Sequence, residues 1–129
     1  MTVVCGYVPT PEGRAALLAA VSEAQLRGED VAVLNTTRGN AALESRYASE
    51  EDMAEVRQIL EDSGVGFTIE QKVTGQGGAE DLLDHARERA ASLIVIGLRR
   101  RSPTGKLIFG SAAQEILLDA DVPVLAVKP

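Results

Sequence analysis

The sequence predicts a single α/β domain, spanning residues 1–129, in which a doubly wound parallel sheet carries helices on both faces. Short apolar segments alternate along the chain with segments long enough to form helices, in the order β-α-β-α-β-α-β-α-β. One apolar segment, residues 93–96, consists only of Leu, Ile and Val and is typical of a strand buried on both faces. Because strands that alternate with helices form parallel sheets through right-handed crossovers, these observations favour a five-stranded parallel sheet.

Local signals predict where most of these elements begin and end. Thr10 and Ser49 are natural N-caps, Pro11 suits a first helical position, and Gly28 and Gly64 are typical of helix ends. Residues 67–73 alternate between apolar and polar, which indicates an edge strand with one wetter face. Residues 38–48 show no clear period and are predicted as a long loop. The predicted strands are 2–7, 31–37, 67–73, 93–96 and 122–129, and the predicted helices are 11–27, 50–63, 79–91 and 111–120.

The composition excludes several classes of protein. The chain has 129 residues, a hydrophobic fraction of 45% and a formal net charge of −6, which argues against general nucleic-acid binding. No apolar run approaches the roughly 20 residues of a membrane helix, so no membrane partner is expected. The amino end lacks the features of a signal peptide, and the single cysteine, Cys5, cannot form a disulfide within the chain. We therefore expect a cytoplasmic protein.

A basic segment stands out in this acidic sequence. Residues 89–114 contain five basic residues and no acidic one, and four of the five, Arg99, Arg100, Arg101 and Lys106, follow the buried strand. A local excess of positive charge attracts anions. We interpret the segment as an anion-binding element, while an arginine-rich loop exposed to solvent is the simpler alternative.

The same segment is predicted to end in a helix that favours negative charge. Ser111 is the expected N-cap, with Gln114 as its partner in a capping box. The first N–H groups of a helix are unpaired, and the helix dipole attracts anions to them. The strand, the basic loop and the helix start together predict a phosphate cradle. Its candidate residues are Gly97, Arg99, Arg100, Lys106, Gly110 and Ser111.

The place of this cradle in the fold can also be predicted. In doubly wound sheets, ligands bind beyond the carboxyl ends of the strands, where the strand order reverses. If the first and fourth strands are neighbours, the crevice lies between loops 8–11 and 97–110. The second loop is longer than the usual connection of about two to six residues, and phosphate binding would explain its length.

The spacing of these residues resembles the nucleotide signature of the universal stress protein family. That signature is Gly, two residues, Gly, nine residues, Gly, then Ser or Thr, and it corresponds here to Gly97, Arg100, Gly110 and Ser111. The chain ending, EILLDADVPVLAVKP, is similar to the last helix and strand of the family. The resemblance implies a Rossmann-like domain of the adenine-nucleotide α-hydrolase type with strand order 3-2-1-4-5. It also implies ATP or AMP as ligand and a homodimer formed through strand 122–128. Mg²⁺ could accompany a bound nucleotide.

Two positions depart from the family pattern. Arg100 replaces the middle glycine, which would let the backbone approach a phosphate; an arginine could instead offer its guanidinium to the phosphate, or block the pocket. Family members that bind nucleotide usually carry an aspartate after the first strand, where this sequence has Val8. Two functions therefore remain open. One is binding of a nucleotide or another phosphorylated anion, with Val8, Pro9 and Asn35 on the base side. The other is a nucleotide-free, dimeric interaction module.

An enzymatic function is the least supported by the sequence. We find no set of nucleophile, base and orienting residue, no Cys/His cluster for a metal, and no P-loop motif. The only histidine, His85, lies in the middle of a predicted helix and is interpreted as structural or solvated. At most, the sequence is compatible with slow phosphate hydrolysis, and no catalytic residue or metal site is predicted.

Overall fold

Strands and helices alternate along the chain in the computed structural model, which describes residues 1–37, 47–99 and 110–129. All the strand pairings are parallel, and the sheet order is β3-β2-β1-β4-β5, which confirms the predicted fold class and strand order. The strands are β1 (Thr2–Gly6), β2 (Asp30–Thr37), β3 (Phe67–Val73), β4 (Ala91–Gly97) and β5 (Val124–Val127). The helices are α1 (Pro11–Arg27), α2 (Glu50–Ser63), α3 (Gly78–Glu88) and α4 (Ser111–Asp119).

Two apolar cores lie on opposite faces of the sheet because successive strand residues point to opposite sides. Val3 and Cys5 of β1 pack with residues of α1 and α2, whereas Val4 between them packs with residues of α3 and α4. The central strands are therefore buried on both faces, as their continuous apolar sequences predict. Among the described residues, no helix combines the length and apolarity needed to cross a membrane.

The predicted boundaries of α1 and α2 are confirmed by their caps. The Thr10 hydroxyl accepts a hydrogen bond from a backbone N–H in the first turn of α1. Ser49 and Asp52 form a reciprocal capping box at the start of α2. Gly28 and Gly64 end the two helices with φ angles of 67° and 77°, in the left-handed region that glycine adopts without strain.

The predicted helix 79–91 is wrong at its carboxyl end. Helix α3 ends at Glu88, and Arg89 follows as its C-cap. Ala90 then takes a left-handed conformation with φ of 51°, and Ala91 already belongs to β4, where it pairs with Thr2. The alanines favour a helix locally, but their place in the sheet overrides that preference.

The capping box predicted for α4 is also wrong. Gly110 is the N-cap, and its carbonyl accepts the backbone N–H of Gln114 at 3.1 Å. Ser111 is already the first helical residue, one position too late for its hydroxyl to cap the helix. The last strand is likewise shorter than the predicted range 122–129, since β5 spans only Val124–Val127 after Pro123. The predicted first strand, 2–7, ends at Gly6, one residue early.

Candidate functional site

Strands β1 and β4 are neighbours at the centre of the sheet, and the chain leaves them towards opposite faces. Strand β1 leads into α1 on one face, and the segment after β4 leads to α4 on the other. The strand order reverses at this pair, so the crevice between their carboxyl ends is the topological switch point of the sheet. This is the location that the sequence predicted for a ligand.

The two walls of this crevice meet through backbone contacts that require glycine. A Cβ atom on Gly97 would lie 2.1 Å from the carbonyl oxygen of Glu12, in the first turn of α1. A Cβ on Gly13 would lie 1.8 Å from the carbonyl oxygen of Val8. The end of β4 and the loop after β1 are therefore packed directly against α1. Gly97 has this packing role in the structure, and its contact with a ligand stays a prediction.

The phosphate end of the predicted site is the start of α4. Gly110 and Ser111 are both exposed, and no side chain in the described part of the chain caps this helix. A Cβ on Gly110 would have none of the described atoms within 4 Å. The first turn of α4 contains no acidic residue, whereas the first turns of the other three helices all do. Within the described residues, the first amides of α4 thus have no side-chain partner, and a helix start of this kind favours an anion.

The basic residues of the predicted cradle are only partly described. Arg99 is exposed, two residues beyond the end of β4. Arg100 and Lys106 lie outside the described residues, so their predicted contacts with phosphate stay predictions. The same holds for Arg101.

The base side of the crevice contains a network that local sequence patterns did not reveal. Asn35 is fully buried, and its side-chain amide donates a 2.9 Å hydrogen bond to the carbonyl oxygen of Tyr7. Its side-chain oxygen accepts hydrogen bonds from the Ala48 backbone N–H at 2.8 Å and from Gln71 Nε2 at 3.0 Å. Gln71 Nε2 also donates to the Ala48 carbonyl oxygen at 2.9 Å. We call these four residues the Asn35–Gln71 clamp.

The clamp changes the interpretation of the predicted base-side residues. Asn35 directs its hydrogen bonds to the protein, so contact between its side chain and a ligand stays a prediction. Val8 and Pro9 are half-buried, and the Val8 carbonyl closes a short turn by accepting the Thr10 N–H at 2.8 Å. Gln71 was missed because its neighbours in the clamp lie far away along the sequence. The signal that could have found it is a polar residue that continues an apolar row on a strand.

Tyr7, one of the four clamp residues, has charged residues near its phenol. Tyr7 is buried, and burial raises the pKa of its phenol, with a further rise from the negative charge of Asp52. Arg14 of α1 forms an ion pair with Glu55 of α2. The phenol of Tyr7 therefore stays protonated at neutral pH and is not a base.

A second buried polar group lies at the same end of the sheet, on the α3 face. Asp81 is 2% exposed, and its carboxylate accepts hydrogen bonds from the Thr36 hydroxyl at 2.5 Å, the Thr74 hydroxyl at 2.7 Å and Gln76 Nε2 at 2.6 Å. Burial alone would raise the pKa of Asp81, but these hydrogen bonds outweigh it and hold the pKa below its usual value. Asp81 thus anchors the loop between β3 and α3 as a carboxylate.

His85 is a structural residue, away from the crevice. It is fully buried, and neither ring nitrogen has a hydrogen-bond partner among the described residues. Its Nδ1 lies 3.5 Å from a carboxylate oxygen of Glu70 on β3. Burial lowers the pKa of His85 more than Glu70 raises it, so the imidazole is neutral at pH 7. Cys5 is similarly inert, because burial raises the pKa of its thiol to about 12.

Comparison with known proteins agrees with this arrangement. The sequence model of the Universal stress protein family matches residues 1–128. A universal stress protein of Mycolicibacterium smegmatis is 44% identical over 127 residues, covering 98% of this chain and 97% of the relative. A universal stress protein structure from Archaeoglobus fulgidus has a TM-score of 0.83 at 33% identity, covering 98% of this chain and 97% of that one. Another structure from that organism, in complex with dAMP, has a TM-score of 0.69 at 28% identity, covering 98% and 96%. The chain belongs to the universal stress protein family.

Proposed function

We propose that this protein binds an adenine nucleotide, or another phosphorylated anion, in the crevice between the carboxyl ends of β1 and β4. The observation that carries the proposal is the start of α4, which no described side chain caps and which follows the strand at the switch point of the sheet. A helix start beside such a crevice is a common phosphate site. The Archaeoglobus fulgidus relative in complex with dAMP shows that a protein of this family takes an adenine nucleotide.

The residues at the phosphate end fit this ligand. The first backbone N–H groups of α4 and the Ser111 hydroxyl would bind phosphate oxygens, and Arg99 would supply positive charge. If ATP is the ligand, Mg²⁺ would bind with its phosphates. The described residues contain no group of three or more His, Cys, Asp or Glu side chains able to hold a metal ion.

The base end offers apolar contact rather than a charged partner. Val8 and Pro9 lie between the end of β1 and the start of α1, where their side chains could contact a base or ribose. Val8 cannot supply the polar contact that the family's aspartate would provide. We therefore expect affinity to come mainly from the phosphates and to fall as salt rises.

Isothermal titration calorimetry with ATP and AMP, with and without Mg²⁺, tests this function. We expect saturable binding that weakens between low and moderate salt. The double variant Ser111→Ala plus Arg99→Ala should weaken binding by roughly tenfold, since it removes a hydrogen bond and a charge from the phosphate.

The matched control is Arg27→Ala plus Ser63→Ala, which removes the same residue types at the opposite end of the sheet. This variant should bind as the wild type does. Absence of heat up to millimolar nucleotide, from protein shown to be folded, would contradict the nucleotide function.

A second candidate is a homodimeric interaction module joined through β5. Strand β5 is an edge of the sheet, and Val124–Val127 are all partly exposed. Nearby on the chain, Leu117 and Leu118 of α4 are 41% and 75% exposed. An exposed apolar edge strand is prone to pair with another strand, and a second copy of β5 would cover it.

The variant Ala126→Pro tests the dimer. The carbonyl groups of Pro123 and Val127 accept hydrogen bonds from Ile94 of β4 and from Leu98 just after it, so by alternation the backbone of Ala126 faces the open edge. Proline there removes an outward N–H and leaves the β4 pairing intact. We expect light scattering to show a dimer for the wild type and a monomer for the variant. A monomeric wild type at high protein concentration would exclude this interface.

A further inference from the structure

We propose that Gln71 and Asn35 are positioning residues that hold the base side of the crevice in place for the nucleoside part of the ligand. They act through the Asn35–Gln71 clamp rather than by touching the ligand. The inference rests on the proposed nucleotide-binding function, and it adds to that function two residues outside the phosphate-binding segment.

The register of the sheet places the clamp at its carboxyl end. Strands β2 and β3 pair Val31 with Phe67, Val33 with Ile69 and Asn35 with Gln71. The first two pairs belong to the apolar core beneath α1 and α2. The row therefore changes from apolar to polar at its third pair, two residues before the strands end at Thr37 and Val73.

The clamp links the ends of the paired strands β1, β2 and β3 to the segment that precedes α2. Both backbone groups of Ala48 are held, the N–H by Asn35 and the carbonyl by Gln71. Asn35 also binds the Tyr7 carbonyl, one residue beyond the end of β1, where the Tyr7 N–H still donates to the Leu34 carbonyl at 2.9 Å. Asn35 thus links the end of β1 to the segment before α2, and Gln71 holds the same segment through the Ala48 carbonyl.

The sheet order puts this clamp on the side of β1 opposite to the phosphate end. Strand β4, which leads to α4, lies on one side of β1, and β2 lies on the other. Adjacent strands are about 4.8 Å apart, so the ends of β4 and β2 are separated by about 10 Å. A nucleotide whose phosphates bind at α4 and that crosses β1 would bring its base towards the clamp.

A rigid base side matters because ordering a loop on binding reduces affinity. Sites bind well when their walls are already held in the bound geometry by packing and hydrogen bonds. Burying the side-chain amide of Asn35 without hydrogen-bond partners would cost free energy. The contacts of the clamp satisfy this amide and at the same time hold the base side of the crevice in place. Gln71 is exposed, so its removal should loosen the wall without opening the core.

The test compares Gln71→Ala with Gln25→Ala by calorimetric titration with AMP and, separately, with inorganic tripolyphosphate. Gln25 is the matched control because its Nε2 also donates to a backbone carbonyl, that of Ser63, at 3.1 Å, but beneath the opposite end of the sheet. We expect Gln71→Ala to weaken AMP binding by roughly fivefold and to leave tripolyphosphate binding within about twofold. Gln25→Ala should change neither.

Each outcome separates the clamp from the function on which it rests. If the wild type binds neither probe, the proposed function fails and the clamp's role in binding fails with it. If the wild type binds AMP and the two variants bind it equally well, only the clamp is overturned. Equal losses for AMP and tripolyphosphate in Gln71→Ala would also overturn it, since a general loss of structure would act on both. If Gln71→Ala does not fold, Gln71→Met keeps the length of the side chain without its donor, and the same results apply.

Discussion

The two ends of the sheet are both crossed by polar contacts, but the side chains that make these contacts differ in burial. At the amino end, Gln25 makes one exposed hydrogen bond to Ser63, and Arg87 pairs with Asp121 at 3.2 Å while both side chains are more than half exposed. At the carboxyl end, Asn35 and Asp81 are 0% and 2% exposed, and each side chain is hydrogen-bonded to three residues within the described part of the chain.

This difference shows where the fold restrains its loops. Burying a polar group is costly unless hydrogen bonds satisfy it, so Asn35 and Asp81 hold their loops in one arrangement. The amino end has a shallow, mostly apolar pocket of about 130 Å³, which includes Ala91, Val122 and the Arg87–Asp121 pair. The restrained end is the one at which doubly wound sheets bind ligands.

Gly97→Ala should give the largest loss of stability. The new Cβ would lie 2.1 Å from the Glu12 carbonyl, so the end of β4 and the start of α1 would have to separate. We expect the free energy of unfolding in urea to fall by about 3 kcal/mol. Gly110→Ala is the control, because nothing described lies within 4 Å of its Cβ, and it should lose less than about 1 kcal/mol, the cost of a poorer N-cap. Equal stability of the two variants would contradict a close approach of position 97 to the Glu12 carbonyl.

Asn35→Ala should give the second-largest loss of stability, since it leaves the Tyr7 carbonyl and the Ala48 N–H without their side-chain partner. Unsatisfied buried groups of this kind cost about 1–3 kcal/mol each, so we expect a loss of at least about 2 kcal/mol. Gln25→Ala, which removes one exposed hydrogen bond at the amino end, should cost less than about 1 kcal/mol. Chemical denaturation of both variants would measure the contrast, and similar losses would contradict the distinction between the two ends.

Asp81→Asn and Asp121→Asn make the same change at opposite ends of the sheet. The first variant would place an amide NH₂ group against the donors of Thr36, Thr74 and Gln76, so we expect a loss of about 1.5–2 kcal/mol. Asp121 is exposed, and its pair with Arg87 should contribute less than about 0.5 kcal/mol. Chemical denaturation would compare the two variants, and a cost for Asp121→Asn as large as that for Asp81→Asn would be unexpected on this account.

His85 should give the smallest effect, visible only as a dependence of stability on pH. Burial lowers its pKa in the folded protein, against an unfolded value near 6.5. The unfolded chain therefore binds a proton first as pH falls, so this contribution to stability is complete above about pH 6.5 and decreases below it. The charged residues that act on the pKa of His85 are Glu70, Lys72, Glu88 and Arg89.

The variant His85→Leu should flatten this acid dependence. Unfolding free energies measured at pH 5, 6, 7 and 8 would show a weaker slope for the variant than for the wild type. An identical slope in the two proteins would mean that His85 does not titrate as its burial requires.

The sequence predicts the fold well because its signals are local. The Thr10 and Ser49 caps, the glycine stops and the apolar rows each depend on residues a few positions apart, and they establish the order of elements and most boundaries. The predicted end of α3 was wrong because sheet pairing places Ala91 in β4. The predicted cap of α4 was wrong because the helix begins at Ser111, which makes Gly110 the N-cap.

The Asn35–Gln71 clamp could not be predicted from local sequence signals. Asn35 and Gln71 are 36 positions apart, and their contact depends on the register between β2 and β3. Asp81 and Thr36 are 45 positions apart and meet for the same reason. The phosphate end, by contrast, could be proposed from sequence because its glycines and basic residues lie within one short segment, 97–111.

The most direct test of a nucleotide site in the carboxyl-end crevice is a ¹H–¹⁵N NMR titration of the labelled wild-type protein with AMP. This experiment records which backbone amides change their chemical shifts. We predict shifts at the carboxyl end, in Ser111 and Ala112 at the start of α4 and in Tyr7 and Ala48 at the clamp. The amides of Ser92, Asp121 and Val122 at the amino end should not change. Shifts confined to these amino-end residues, or none at millimolar AMP, would contradict the assignment of the carboxyl-end crevice as a nucleotide site.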